Sequence, residues 1–372
     1  MTLTPIFLPV EGLAVTDSET LLGAPGARLR SAWQDAREAN PRARVRDIAA
    51  TLGVPEASLV ASLVGETARR LAPPPEGTFA ALIRALPSLG EVMVLTRNQH
   101  CVHEKVGTFG QIHIPGHIAT VANGEVDLRI FLNHWKHGFA VEEALPEGKT
   151  RHSLQFFDAE GVAVHKIYAR PETDMAAWQA VVEAHLAPAQ EDSFAPLPLP
   201  APAPLRPDAE IDVAALRQDW LALQDTHDFA RMLRTHKAGR HQALRLVGED
   251  LAFRLTPAAP RALLEAAADS ATPIMVFTRN RGCIQIHTGP VHTIKVTGPW
   301  VNVLDARFDL HLREDAVAEA WVVRKPTRDG WLTAVELYDA TQEYFTLFFG
   351  GRKPGQPELE SWRAIVAGLA RG

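Results

Sequence analysis

The sequence predicts an α+β protein made by internal duplication, in which two repeats each carry a large antiparallel β-sheet packed with helices. A motif at residues 93–98, Met-Val-Leu-Thr-Arg-Asn, returns about 182 residues later as Met-Val-Phe-Thr-Arg-Asn, and a cysteine follows each copy. The same offset holds without a gap as far as Val141 and Val323. In each half, short alternating apolar runs follow a helical opening. Functional residues are therefore expected either in both repeats or in a cleft between them.

The helices and strands are predicted from the period of their apolar residues. Spacings of three and four predict helices in the first half at 30–38, 45–52, 56–68 and 175–186. Alternation with period two predicts strands at 92–95, 117–121, 127–132, 153–157 and 162–168. The second half repeats this plan, with helices at 213–234, 260–269 and 359–370 and strands between 273 and 349.

Prolines mark the boundary between the two repeats. Residues 187–208 include Pro-Leu-Pro-Leu-Pro-Ala-Pro-Ala-Pro, which favours an extended polyproline conformation and cannot join a sheet. We therefore predict an N-terminal repeat at 25–186, a proline-rich linker at 187–208 and a C-terminal repeat at 209–372.

The charge of the chain argues against a dedicated nucleic-acid binder. Its 372 residues carry a formal net charge of -6, whereas contacts to phosphates need a clear basic excess. Residues 44–54 resemble a helix-turn-helix in pattern, so a DNA-binding transcriptional regulator is one alternative. The other interpretation of this segment is a helical subdomain packed on its own sheet.

The sequence also indicates where the protein resides. Residues 1–15 lack the basic n-region of a signal peptide, and no window reaches the roughly eighteen apolar residues of a membrane span. Cys101 and Cys283 occupy equivalent places in the two repeats, which indicates two separate core thiols rather than a disulfide. We therefore expect a cytoplasmic protein without membrane insertion.

One histidine falls on the apolar face of the predicted helix that opens the second half. Leu216, Trp220, Leu223 and His227 follow one another at spacings of three and four. A neutral imidazole presented from such a face suits an axial bond to haem iron. The alternative is a histidine packed in the core.

Several long blocks of the sequence resemble one protein family. They include Thr-Arg-Asn at 96–98, Ser-Leu-Gln-Phe-Phe-Asp at 153–158, Cys-Ile-Gln-Ile-His-Thr-Gly at 283–289, Trp-Val-Val-Arg-Lys-Pro-Thr at 321–327 and Phe-Phe-Gly at 348–350. In this order and with this duplication, the chain resembles the HemS, ChuS, HmuS and PhuS family of bacterial haemin-transport and haemin-degrading proteins. The resemblance extends over roughly residues 28 to 370.

The resemblance implies that haem b is bound noncovalently in a cleft between the repeats. It implies His227 as the axial ligand of the haem iron, and it assigns Arg97 to the opposite, distal face. Because an arginine side chain stays protonated, the implied role of Arg97 is to hold a distal water or bound oxygen by hydrogen bonds.

The resemblance also implies basic residues that hold the two haem propionates. Arg240, Lys325 and Arg352 fall where the family has polar and basic pocket residues. Guanidinium and ammonium groups are suitable partners for carboxylates.

Two functions share this implied pocket, and the residues leave both open. The resemblance implies a protein that traffics imported haem in a bacterial haem-uptake system, degrades it to release iron, or does both, with His227 and Arg97 as the implied catalytic residues. As a pure carrier it hands haem to a separate haem oxygenase without catalysis, whereas as an enzyme it opens the porphyrin ring with electrons from an external reductant. The implied partners are haem, a haem ABC importer, a haem oxygenase or an electron donor, and nucleic acid is not expected.

Overall fold

The computed structural model describes residues 21, 26–41, 43–73, 77–122, 124–145, 148–200, 204–352 and 355–372. The segment examined for a signal peptide, 1–15, lies outside these ranges, as does the part of the proline-rich stretch at 201–203. Residue 25, where the predicted N-terminal repeat begins, also lies outside them.

Most helices begin and end close to the predicted positions, but those at Ala80–Ala85 and Arg240–Leu246 were not predicted. The helices are α1 Gly26–Ala39, α2 Val45–Thr51, α3 Glu56–Ser62, α4 Ala80–Ala85, α5 Met175–Ala184, α6 Val213–Leu221, α7 Phe229–His236, α8 Arg240–Leu246, α9 Ala259–Asp269 and α10 Glu360–Gly368.

The strands of the first half are β1 Ala68–Leu71, β2 Gly90–Arg97, β3 Cys101–Thr108, β4 Gln111–His113, β5 Ile118–Ala122, β6 Asp127–Phe131, β7 His137–Ala144, β8 Thr150–Phe157 and β9 Ala163–Thr173. Those of the second half are β10 Ala252–Leu255, β11 Ile274–Arg279, β12 Cys283–Gly289, β13 Ile294–Thr297, β14 Trp300–Asp305, β15 Phe308–Arg313, β16 Glu319–Thr327, β17 Gly330–Tyr338 and β18 Tyr344–Gly350.

The described chain forms two compact units. Unit 1 comprises the described residues up to Arg97, together with Lys105–Pro200 and Asn280–Ile284. Unit 2 comprises Asn98–Glu104, the described residues between 201 and Arg279, and Gln285–Gly372. Each unit thus includes a short segment from the other half of the sequence. These units are defined by contacts and not by sequence similarity. The repeat boundaries at 25–186, 187–208 and 209–372 therefore stay a prediction.

Unit 1 contains an antiparallel sheet with the strand order β1-β7-β8-β9-β2 and a smaller antiparallel group, β4-β5-β6. Successive residues of β8 point to opposite faces of the sheet. Phe156 joins the core formed with Ile83 of α4 and Trp178 of α5. Its neighbour Phe157 joins a second core with Val60 of α3. Helices therefore cover both faces of this sheet.

Unit 2 repeats the arrangement, with the strand order β10-β16-β17-β18-β11 and a smaller group, β13-β14-β15. Val335 and Leu337 of β17 pack with residues of α9 and α10, such as Trp362. Ala334 and Tyr338 of the same strand pack with residues of α6, α7 and α8. The predicted fold class, an internally duplicated α+β protein with antiparallel sheets packed with helices, is confirmed.

Two predicted helices differ from the structure, and four strands of the first half were not predicted. The helix predicted at 56–68 ends at Ser62, because the chain continues into β1 from Ala68. The strands that were not predicted are β1, β3, β4 and β7, in which polar residues interrupt the apolar alternation. The helix predicted at 213–234 is divided into α6 and α7 by a short 3-10 turn at Thr226–Asp228.

The segment that resembles a helix-turn-helix is part of a packed helical subdomain. Ile48 of α2 and Leu59 of α3 share a core with Leu29 and Trp33 of α1. Every residue of α3 is buried, so this helix does not present a free face that could enter a DNA groove.

The proline-rich stretch contains no helix or strand between residues 187 and 200. This part of the stretch belongs to unit 1 and is bound to its other residues. The guanidinium of Arg70 donates to the carbonyl of Ser193 at 2.8 Å. The amide of Leu197 likewise donates to the carbonyl of Ala159 at 2.8 Å. No helix in the described ranges is both long enough and apolar enough to cross a membrane.

The cysteines lie in the core, as the sequence predicts. Cys101 and Cys283 are both buried and free. Burial raises the pKa of the Cys101 thiol to about 11 and that of Cys283 to about 12, so both stay protonated at neutral pH.

The two Thr-Arg-Asn turns are held by matching hydrogen bonds. In unit 2, the Asn98 amide donates to the carbonyls of Arg279 and Phe345, both at 2.8 Å, and its oxygen accepts from the backbone of His100 and Cys101 at 2.9 Å.

In unit 1, the Asn280 amide donates to the carbonyls of Arg97 at 2.9 Å and Val164 at 2.8 Å. Its oxygen accepts from the backbone of Gly282 at 2.9 Å and Cys283 at 2.8 Å. Each asparagine thus ties its own turn to two other strands of its unit.

We expect Asn98→Ala and Asn280→Ala each to lower the free energy of unfolding by about 2 to 4 kcal/mol, because each leaves part-buried backbone groups without their partners. Urea unfolding followed by circular dichroism measures this change. Asn133→Ala, at an exposed position, is the control. Unfolding midpoints that match this control would show that the asparagines do not hold the turns.

Candidate functional site

The alternation of side chains along β17 places a single acidic residue among apolar ones. Ala334 and Tyr338 face α6, α7 and α8, and Glu336 between them points to the same face. Glu336 is 0% exposed. A carboxylate at such a position needs cationic partners, because burying an unpaired charge is costly.

Those partners are two of the predicted basic residues. Arg240, the first residue of α8, donates from Nε to Oε2 of Glu336 at 2.8 Å, and a second guanidinium nitrogen donates to Oε1. Lys325 of β16 donates from Nζ to Oε1 at 3.2 Å. The Tyr338 hydroxyl donates to Oε2 at 2.9 Å. The structure therefore brings Arg240 and Lys325 together on one buried carboxylate.

Burial and charge act against each other in this cluster. Burial by itself raises the pKa of Glu336, but the charges of Arg240 and Lys325 outweigh it and bring this pKa to about 2. Burial lowers the pKa of Lys325 to about 8, an effect that Glu336 opposes and Arg240 reinforces. At neutral pH the cluster thus holds two cations and one anion, which leaves one net positive charge.

Aromatic rings enclose the two cations. The Lys325 ammonium lies 4.2 Å from the centre of the Phe229 ring. The Arg240 guanidinium lies 5.0 Å from the same ring and 4.4 Å from that of Tyr344. Cations over aromatic faces are attracted by the ring quadrupole, so these rings orient both side chains.

His227 lies two residues before Phe229, in the 3-10 turn at Thr226–Asp228 that separates α6 from α7. Asp225 begins this turn and accepts from the His227 backbone at 2.8 Å and from its imidazole Nδ1 at 2.6 Å. These two hydrogen bonds lower the pKa of Asp225. Because Nδ1 faces the carboxylate, the lone pair of the neutral imidazole is on Nε2.

The position of His227 corrects the expectation that it lies on an apolar helical face. Leu216, Trp220 and Leu223 are buried as predicted, but α6 ends at Leu221 and the Asp225-capped turn directs His227 outwards. The His227 side chain is 87% exposed. Packing in the core is therefore not its role, and its imidazole is accessible to a ligand.

Arg352, the third predicted propionate partner, is bound elsewhere in unit 2. Its guanidinium donates to Oδ2 of Asp329 at 3.4 Å, in the turn between β16 and β17. The backbone amide of Gly355 donates to the same oxygen at 3.1 Å. Arg352 thus helps to fix this turn and does not share the carboxylate of Glu336.

Arg97, at the end of β2, lies in unit 1. Its guanidinium donates to Glu56 at the start of α3, and Lys166 of β9 donates to the other oxygen of that carboxylate. Burial by itself raises the pKa of Glu56, but Arg97 and Lys166 together bring it to about 2. Arg97 is thus part of a buried ion pair rather than a solvated cation at the end of a strand.

The sequence alone assigned no role to Glu336, Glu56 or Asp225. For Glu336 a signal existed, since a glutamate inside the otherwise apolar strand Leu-Thr-Ala-Val-Glu-Leu-Tyr at 332–338 indicates a buried cation nearby. Among the described residues, no group of three or more histidine, cysteine, aspartate or glutamate side chains is arranged to hold a metal ion by itself.

Comparisons with known proteins agree with this arrangement of repeats. The haemin-degrading HemS.ChuX domain matches the chain twice, at residues 53–185 and 237–369. The chain is 39% identical to the hemin transport protein HmuS of Yersinia pestis over 344 residues, which is 92% of this chain and 97% of that protein.

Two solved structures are similar over nearly their whole length. Holo-PhuS, a heme-binding protein from Pseudomonas aeruginosa, is 45% identical, with a TM-score of 0.90 over 94% of this chain and 100% of that one. The heme degrading enzyme ChuS of Escherichia coli O157:H7 is 36% identical, with a TM-score of 0.85 over 93% of this chain and 99% of that one. The chain therefore belongs to the haemin-degrading HemS.ChuX domain family, with one copy of the domain in each half.

Proposed function

We propose that this protein binds haem through His227 and handles it as part of bacterial haem uptake. The observation that carries the proposal is the exposed imidazole of His227, fixed on Asp225 through Nδ1. Fixing one nitrogen on a carboxylate is how proteins prepare the other nitrogen to bind a metal. Relatives described as a hemin transport protein and a heme-binding protein support the choice of haem.

The Arg240–Lys325 cluster, which contacts Phe229 two residues after His227, fits the other chemical features of haem. Phe229 and Tyr344 supply aromatic surface, and Arg240 and Lys325 supply positive charge for a propionate. The porphyrin supplies four of the ligands to iron, so one histidine suffices and no cluster of metal ligands is needed. Haem, when bound, supplies an iron centre for oxygen and electron-transfer chemistry.

The proposed setting is the cytoplasm of a bacterium that imports haem. A haem importer would deliver the ligand, and a haem oxygenase or an electron donor would act after this protein. The buried thiols of Cys101 and Cys283 support a reducing compartment.

Transport and degradation are the two forms of this proposal. The relative from Yersinia pestis is described as a transport protein, and ChuS is described as a heme degrading enzyme. Both forms use His227 to bind haem. They differ in whether the bound tetrapyrrole is released intact or after its ring has been opened.

We expect His227→Ala to lower haem affinity at least about tenfold and to remove the Soret spectrum of histidine-ligated haem, because Nε2 is the only iron ligand proposed here. The measurement is a titration of the metal-free protein with haemin. His113→Ala, which replaces an exposed histidine of unit 1, is the matched control.

Saturation near one haem per chain in the wild type, lost only in His227→Ala, supports the proposal. A wild-type protein that binds no haemin would refute haem binding itself. An unchanged spectrum in His227→Ala would instead show that another residue binds the haem iron.

Arg97→Ala is expected to keep haem binding within about threefold of the wild type and to change the spectrum of the distal ligand, since we propose Arg97 as a hydrogen-bond donor to that ligand. Removing Arg97 also leaves Glu56 with Lys166 alone, so we expect the free energy of unfolding to fall by about 3 kcal/mol.

Glu56→Gln separates these two effects, because it removes the ion pair and keeps the guanidinium. Resonance Raman spectra report the distal ligand, and urea unfolding reports stability. Complete loss of haem binding by folded Arg97→Ala would contradict the distal role.

If the protein is an enzyme, haem-loaded protein supplied with dioxygen, an external reductant and catalase will yield a ring-opened tetrapyrrole and free iron. Catalase removes free peroxide, which degrades haem without help from the protein. Absorption spectra and mass spectrometry identify the product. Intact haem recovered after many equivalents of reductant would identify a carrier.

A further inference from the structure

Glu336 is the residue of the Arg240–Lys325 cluster to which neither the family resemblance nor the proposed function assigns a role. Both of its carboxylate oxygens are engaged, by donors from β16, β17 and α8. We propose that Glu336 is a positioning residue that holds Arg240 and Lys325 in one arrangement and thereby sets how tightly they bind a carboxylate of haem. This inference rests on the proposed function.

The first repeat shows that the fold does not require an acid at this position. Glu336 pairs with Trp321 and Leu347 on its neighbouring strands. At the corresponding place in unit 1, Gln155 pairs with Phe139 and Lys166. A neutral glutamine therefore occupies the same place in the sheet.

The helix that adjoins this strand also begins with a residue of opposite charge in the two units. The first residue of α8 is Arg240, whereas the first residue of α3 is Glu56. In unit 2 the carboxylate lies on the sheet and the guanidinium on the helix, and in unit 1 the carboxylate lies on the helix and an ammonium, Lys166, on the sheet. In each unit one glutamate binds an arginine and a lysine. In unit 2 these two cations are the proposed propionate partners, Arg240 and Lys325.

The balance of charge makes the cluster selective for one added anion. Two buried cations without Glu336 would repel each other, and burial would favour the neutral form of Lys325. With Glu336 present, Lys325 keeps its proton at neutral pH, and one positive charge remains for a ligand carboxylate. The titratable and charged groups that face Lys325 are Glu336 of β17 and Arg240 of α8, with Tyr338 bound to the same carboxylate.

This arrangement gives carboxylate binding a defined pH dependence. Lys325 is protonated below a pKa of about 8 and loses its charge as the pH rises through that value. Affinity for a haem carboxylate is therefore greatest below about pH 8 and falls above it. Glu336 is the group that raises the pKa of Lys325, so removing its charge moves this fall in affinity to lower pH.

The experiment compares haemin with haemin dimethyl ester, which has the same iron and macrocycle but no free carboxylates. Dissociation constants are measured between about pH 6 and pH 9 for the wild type, Glu336→Gln and Glu358→Gln. Glu358 is a buried glutamate of the same unit that binds Thr333 instead, so its replacement is the matched control.

For the wild type and Glu358→Gln we expect haemin affinity to fall as the pH rises through about 8, while the affinity of the ester changes much less. For Glu336→Gln the fall in haemin affinity should move to lower pH by about one unit or more. Equal pH profiles for haemin and ester in the wild type, or the same midpoint in Glu336→Gln, would overturn the inference.

If Glu336→Gln does not fold, the pH profiles of haemin and its dimethyl ester in the wild type still test the inference. A second measurement needs no haem: the midpoint of Lys325 titration in the apo-protein, followed by NMR of 13C-methylated lysines and assigned with Lys325→Arg. A normal lysine midpoint there would overturn the inference. A wild-type protein that binds neither haemin nor its ester would instead refute the proposed function.

Discussion

Both units depend on the Thr-Arg-Asn turn, which occurs once in each repeat. Asn98 ties its turn to backbone carbonyls within unit 2, and Asn280 does the same within unit 1. The turns belong to segments that the two repeats contribute to each other's unit, Asn98–Glu104 and Asn280–Ile284. Neither unit is therefore built from one repeat alone, which gives a physical reason for the two repeats to stay in one chain.

The two units share their sheets and helices but differ in where their buried charged residues lie. Each places one glutamate where an arginine and a lysine can reach it, yet Glu56 begins a helix and Glu336 lies within a strand. Because a buried ion must keep its partners, such a cluster changes only when several residues change together. The sheets and helices of the two units are alike, whereas their ionic contacts differ.

The cluster in unit 2 connects this divergence to the proposed ligand. Phe229 follows His227 by two residues, and its ring lies against Lys325 and Arg240. The short turn that presents the imidazole therefore continues directly into the helix that orients the two cations. The break between α6 and α7 places the imidazole and the Phe229 ring on one short segment of chain.

The sequence by itself determined the duplication, the α+β class, most helices and strands, and the family, because these depend on apolar period and on contiguous motifs. It also proposed His227, Arg97, Arg240, Lys325 and Arg352 as site residues. The tertiary structure decided the rest, since the partners are distant along the chain: Arg240 and Glu336 are 96 residues apart. It showed that His227 is exposed on a capped turn and that Arg97 is bound to Glu56. Periodicity reports which face of a helix is apolar, but only packing decides where that helix ends and which buried charges meet.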